Sequence, residues 1–141
     1  MEKLKLIGVL ELRFFLKGKL IETKKENNLI VNSGYSALFS ALSGTLNKNI
    51  SKVQCGNNGS TPTLGDTIIT DPVDLEIITK VASSSSLTIT FQLGANDANG
   101  LTISEFGTIC ADGTLFSRKS WTPFLKIADL SVEGTWIISR V

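Results

Sequence analysis

The sequence predicts a mainly β protein, an antiparallel β-sandwich or jelly-roll with one short α-helix near residues 33–43 and an N-terminal β-hairpin. Three observations lead there. Apolar side chains recur at every second residue in several separate runs, the period of a strand with one buried face. Gly, Asn, Asp, Pro and Ser punctuate those runs at close intervals, as in sandwiches and barrels. Only one stretch carries apolar residues at helical spacing.

Residues 3–25 read as two extended arms around Lys17-Gly18. Leu4, Leu6, Leu10, Leu12 and Phe14 take even positions, with Lys3, Lys5, Glu11 and Arg13 between them. Leu20 and Ile21 then lead into the charged "ETKKE", read either as a solvated strand end or as an arm that docks on a partner. In "NNLIVNSGYSALFSALSG", Ser33 has the chemistry of a helix N-cap. Tyr35, Leu38, Phe39 and Leu42 form an apolar stripe, and Gly44 supplies a left-handed stop.

A strand from Ile50 to Cys55 runs into a loop rich in Gly, Asn, Ser, Thr and Pro. That loop lacks the Gly-Lys-Ser/Thr ending of a phosphate-binding loop and the dinucleotide fingerprint. Asp66, Asp71 and Asp74 lack calcium-loop spacing and read as turn formers. Leu87, Ile89, Phe91 and Leu93 alternate with Thr88, Thr90 and Gln92 in the cleanest strand of the chain. Between Leu101 and Trp121, Asp112-Gly113 separates two β-rich runs, a hairpin signal of the type I′ kind. The segment from Ile127 to Val141 reads as one or two strands, with Leu130, Val132 and Trp136-Ile137-Ile138 as core candidates.

The composition narrows the chemistry. The 141 residues fit one domain, divided in expectation into a hairpin or arm over 1–26 and a module over 27–141. There is no histidine, which removes Ser-His-Asp and Cys-His nucleophile systems and the commonest metal ligand. No enzyme activity, catalytic residue, cofactor or metal is expected. Cys55 and Cys110 read as reduced, buried thiols, and a disulfide between them is a matter of geometry that sequence leaves open. Glu105 reads as a rim or buried structural carboxylate. The net charge of +1 gives no general attraction to nucleic acid or membrane, and no apolar run is long enough to span a bilayer. The N-terminus lacks the apolar core of a signal peptide. Only 19% of residues are charged, against about 25% in a typical soluble domain, a deficit that fits either contact with neighbours or a weakly charged monomer.

The order of segments adds a resemblance. "NLIVNSGYSALFSAL", "ISKVQCGNNGSTPTLGDT" and "ISEFGTICADGTLFSRKSWTPFLKIADLSVEGTWIIS" follow one another over residues 27–141. They comprise Asn32-Ser33-Gly34, the loop Gly56 to Thr67, Glu105-Phe106-Gly107, Asp112 to Arg118, Thr122 to Lys126 and Thr135 to Ile138. This arrangement resembles a module of tailed-bacteriophage virion structural proteins. Cys55 departs from it, standing where the module carries a small apolar residue. The resemblance implies a capsid cement or decoration protein, a homotrimer on the capsid surface of the virion, made in the host cytoplasm, with the major capsid protein as its partner. Tail-fibre or baseplate components share the module, so tail proteins are the alternative partners, and a carbohydrate-binding adhesin is the alternative of another class. The residues expected to bind a partner are Phe14, Phe15, Lys17, Arg118, Lys119, Trp121 and Phe124. For Arg118 the competing reading is a local pair with Glu105 or Asp112, and for Trp121 a place in the core.

Overall fold

A computed structural model describes residues 4–141; Lys3 and the first two residues of the expected 1–26 hairpin lie outside the described residues. The chain forms β1 (Leu6–Leu16), β2 (Lys19–Ile30), α1 (Asn32–Leu42), β3 (Ile50–Gly56), β4 (Val73–Ala82), β5 (Ser86–Leu93), β6 (Thr102–Cys110), β7 (Leu115–Leu125) and β8 (Leu130–Arg140). All pairings are antiparallel, in the closed order β1-β2-β7-β6-β3-β4-β5-β8.

The fold is therefore mainly β with one short helix, but it is an eight-stranded barrel and not a sandwich or jelly-roll. The difference lies at two corners. Leu29 and Ile30 of β2 ladder with Arg118 and Ser117 of β7. Val53–Cys55 of β3 ladder with Val73–Leu75 of β4. These short ladders join the walls that a sandwich would leave apart, so closure covers the sheet edges only where the ladders run.

The core follows from register. Facing residues of β5, β8 and β1 stack as Ile89, Trp136 and Leu10, then Phe91, Gly134 and Leu12, then Leu93, Val132 and Phe14. Val53, Cys55, Ile103, Phe106, Cys110, Phe116 and Trp121 meet them from the opposite wall. β1 is thus one wall of the barrel and no separate arm: it pairs with β8 from Leu6 to Leu16 and buries Leu10, Leu12 and Phe14.

Three local expectations change. The type I′ turn sits at Lys17-Gly18, whose φ values are +50° and +80°. At the other hairpin only Gly113 has positive φ (+94°); its N–H donates to Cys110 O at 2.9 Å, while Asp112 instead accepts from the Thr114 N–H at 3.0 Å. That is a three-residue loop with the glycine in the left-handed region. Ser33 does not cap the helix; it lies inside the first turn and its Oγ donates to Leu115 O at 2.6 Å. Gly34 is the reason α1 can lie so close to β7, since a Cβ there would fall 2.1 Å from Phe116 O. Because Gly34 and Ala37 define the buried line, Tyr35 and Leu38 touch the core but Phe39 and Leu42 face outward. Gly44, at φ +94°, follows the helix as expected.

Gly134 leaves the space that the Phe91 ring fills: a Cβ there would lie 2.1 Å from the ring. Gly134→Ala is expected to cost about 1–3 kcal/mol by overpacking, seen as a lower urea midpoint at unchanged slope. An unchanged midpoint would contradict this packing.

Candidate functional site

Two groups of residues gather the chemistry of this molecule. The first is a clasp on the outer wall. Strand β6 is buried on both faces from Ile103 to Cys110. Its inner face looks into the barrel, and its outer face lies under the loop from Asn57 to Pro72. Val31, Ile69, Ile109 and Leu115 form a small second core there. Gly107 permits the contact, since a Cβ would lie 2.6 Å from the Ile69 side chain.

Glu105 and Arg118 hold that loop down. Both are almost wholly buried, and Arg118 Nε donates to Glu105 Oε1 at 2.9 Å. Glu105 Oε2 accepts the N–H groups of Asn58 (2.7 Å) and Thr70 (3.0 Å), one from each end of the loop. Arg118 Nη2 donates to Asn58 O at 2.6 Å and Nη1 to Asp66 at 3.0 Å. Each guanidinium nitrogen and each carboxylate oxygen of the pair has at least one partner, which offsets the cost of burying the charges. Burial pushes the Asp66 carboxyl up, but the Thr63 N–H and hydroxyl and the Arg118 guanidinium outweigh it and hold it below its ordinary range.

The second group is an open corner. The β2–β7 ladder stops after two residue pairs. Beyond it, among the described residues, no ladder joins 19–28 of β2 to 119–125 of β7. The register of the first hairpin explains the gap. Glu26 faces Leu10, Lys24 faces Leu12 and Glu22 faces Phe14, so β2 turns charged side chains toward the interior. Side chains bridge where backbone does not. Lys119 Nζ and Lys24 Nζ each lie 3.2 Å from Glu26, and Lys24 Nζ stands 5.7 Å from the centre of the Trp121 ring. Burial raises the Glu26 carboxyl, and the hydrogen bonds from Lys119 and Lys24 more than reverse it, leaving it below its ordinary range. A bulge between Phe14 and Phe15 pushes Ile21 out of register. The result is a recess of about 330 Å³ floored by Phe14, Trp121 and Phe124 and flanked by Ile21, Glu22 and Lys24. Phe14 and Phe124 meet edge to face at 5.2 Å.

The expected partner-binding residues therefore divide. Phe14, Trp121 and Phe124 share the recess, and Lys119 lies at its side through Glu26. Phe14 and Trp121 are each only 6% exposed, so they present little beyond a ring edge. Arg118 belongs to the clasp, paired with Glu105 as its local reading had it and with Asp66 in addition; Asp112 pairs instead with Lys48 at 2.7 Å. Phe15 alternates to the outer face of β1, and Lys17 stands exposed in the turn. Sequence reading missed Glu22, Lys24 and Glu26 as inward-facing groups. The turn alone does not signal them: a two-residue turn at Lys17-Gly18 sets Ile21, Thr23 and Lys25 opposite Phe14, Leu12 and Leu10, and the bulge between Phe14 and Phe15 shifts the pairing to Glu22, Lys24 and Glu26.

No family model, curated protein or solved structure matches this chain. The reading of the site rests on its own geometry. Among the described residues no three Cys, Asp or Glu side chains gather as a metal site would need. The thiols are free and buried; burial, the largest effect on each, pushes Cys55 up to about 12 and Cys110 up to about 11.

These shifts fix a pH profile. The folded pKa values of Asp66 and Glu26 are depressed, so their contribution is present above the unfolded carboxylate range near 4 and lost as pH falls through the folded values. The cysteine values are raised, so theirs is present below the unfolded thiol value of about 8.5 and lost as pH rises toward 11 and 12. Nothing in the chain is a histidine. Thermal melts at matched ionic strength are expected to be flat from about pH 5.5 to 8 and to fall on both sides. A change of many degrees inside that window would contradict the profile.

Proposed function

We propose that this chain is a virion structural protein of a tailed bacteriophage, a capsid cement that docks on neighbouring major capsid subunits as a homotrimer. The observation that carries the reading is the open corner between β2 and β7. An unladdered strand edge offers backbone N–H and C=O groups to an extended segment of a neighbour, which adds as one more strand. Leu20 and Ile21 on that edge and Leu125 across it are 51%, 55% and 57% exposed. They supply apolar area at the rim, and Phe14, Trp121 and Phe124 supply aromatic ground beneath. Aromatic residues in a recess are the usual anchors of such contacts. The order of sequence segments and the low charge content point the same way. A closed barrel suits a part that bears load and performs no chemistry, and the proposal assigns it none.

The same corner would serve a tail or baseplate protein, and location in the particle separates the two. The adhesin reading has less in its favour. The chain's Trp and Tyr residues are Trp121, Trp136 and Tyr35, and none of them is exposed. A sugar platform wants such rings at the surface.

The test uses labelled protein and capsids purified without it from the phage that carries the gene. Saturable binding is expected, with light scattering of the free protein giving a trimer. Leu20→Lys with Ile21→Lys, both on exposed positions, should abolish capsid binding at an unchanged melting temperature. Binding to tails in place of capsids, a 15.2 kDa monomer in solution, or full capsid binding by the double variant would each contradict the proposal.

A further inference from the structure

The barrel is also open at its other corner, and that opening is chemically different. β3 and β4 ladder only from Val53–Cys55 to Val73–Leu75. β4 then runs on with β5 as far as Ala82, away from β3. α1 crosses the same end of the barrel but packs mainly on β7. Between the helix and the β4–β5 turn lies a cleft of about 570 Å³. This is within the size range of small-molecule sites, which favour the mouths of β-barrels.

The floor of the cleft is apolar: Leu6, Leu38, Ile50, Leu87, Phe116 and Ile138 come from six different elements. Its wall is fixed. Tyr35 Oη accepts the Leu6 N–H at 3.2 Å and ties α1 to the start of β1. The serine turn opposite is closed on itself, with the Ser83 N–H donating to Ser86 O at 2.8 Å. The rim carries Lys48, Lys80 and Arg140, and no carboxylate side chain lines the cleft among the described residues. Lys48 is occupied by Asp112 at 2.7 Å. Lys80 Nζ reaches across the opening to Ile50 O at 2.6 Å, and neither it nor Arg140 has a carboxylate within ion-pair distance among the described residues. An apolar cleft with a one-signed rim selects an amphiphile of the opposite sign. The chain gains by leaving water, and the head gains from Lys80 and Arg140, which have no carboxylate partner among the described residues.

We propose that this cleft binds a free single-chain carboxylate of medium length, with its hydrocarbon against Leu38, Phe116 and Ile138 and its carboxylate at Lys80 and Arg140. The site is separate from the β2–β7 corner and does not depend on the capsid reading.

The full-length protein is titrated with octanoate, nonanoate and decanoate below their micellar concentrations, by calorimetry and by amide chemical shifts. One-to-one binding is expected, tightening about fourfold per added CH₂, with shifts confined to the lining of the cleft. Lys80→Ser with Arg140→Ser should weaken decanoate at least tenfold in a chain that stays folded, with the melting temperature lowered only by the loss of the Lys80 hydrogen bond to Ile50 O. Leu38→Glu, placed in the wall, should abolish binding in a chain that circular dichroism shows to be folded. Decyltrimethylammonium should not compete. Four results would overturn the proposal: no saturable binding of decanoate, equal binding of decyltrimethylammonium, shifts centred elsewhere, or attachment to phosphatidylglycerol vesicles without binding of monomeric decanoate.

Discussion

The buried pair of Glu105 and Arg118 is the constraint around which this barrel is arranged. Arg118 sits where β7 meets Leu29 of β2, at the first of the two residue pairs that close the barrel on that side. Glu105 sits one strand over, on the outer face of β6. Their hydrogen bonds to Asn58, Thr70 and Asp66 press a long loop onto the wall, and the loop in turn shelters the pair from water. Breaking such a pair leaves an uncompensated charge at a cost of about 3–5 kcal/mol. Loop, corner and second core are therefore one unit.

Most of the fold class is legible in the sequence because alternation and turn residues are local. Leu87, Ile89, Phe91 and Leu93 announce β5 without help from any neighbour, and all but the first are buried. β4 is harder to read. Its residues Val73 to Ala82 interleave Asp74, Glu76 and Lys80 with apolar side chains, several of them exposed, because the strand leaves the wall of the barrel halfway along. Closure itself cannot be read from periodicity. It depends on five ladder pairs at two corners: two join β2 to the distant β7, and three join β3 to β4 across the long loop between them. A sandwich and a barrel share the same alternation within each strand and differ only there.

The site was legible in part. The sequence points to Phe14, Trp121 and Phe124 as partner-binding residues, and one recess brings them together. Arg118 stands in the same expected partner-binding group as Lys119 and Trp121, yet it faces the other side of the wall. Strand parity separates it from Trp121: three residues apart in a strand means opposite faces. Lys119 shows why parity alone is not enough. It points inward, where a charge is normally excluded, and it can do so because β2 offers Glu26 at 3.2 Å. One strand's inward charges are explained only by those of its neighbour, so neither can be read alone. The two open corners follow from this pairing of short ladders with long strands, one lined by both signs of charge and the other by cations only.

The central claim is that the Glu105–Arg118 clasp makes the loop from Asn57 to Pro72 part of the barrel's cooperative unit. Native-state hydrogen exchange of the unmodified protein tests it at the two amides that Glu105 accepts. The Asn58 and Thr70 N–H groups should exchange as slowly as the amides of Leu12 and Trp136 in the wall, through the same global opening. Exchange of Asn58 and Thr70 several orders of magnitude faster than the wall, with the wall still protected, would contradict the claim.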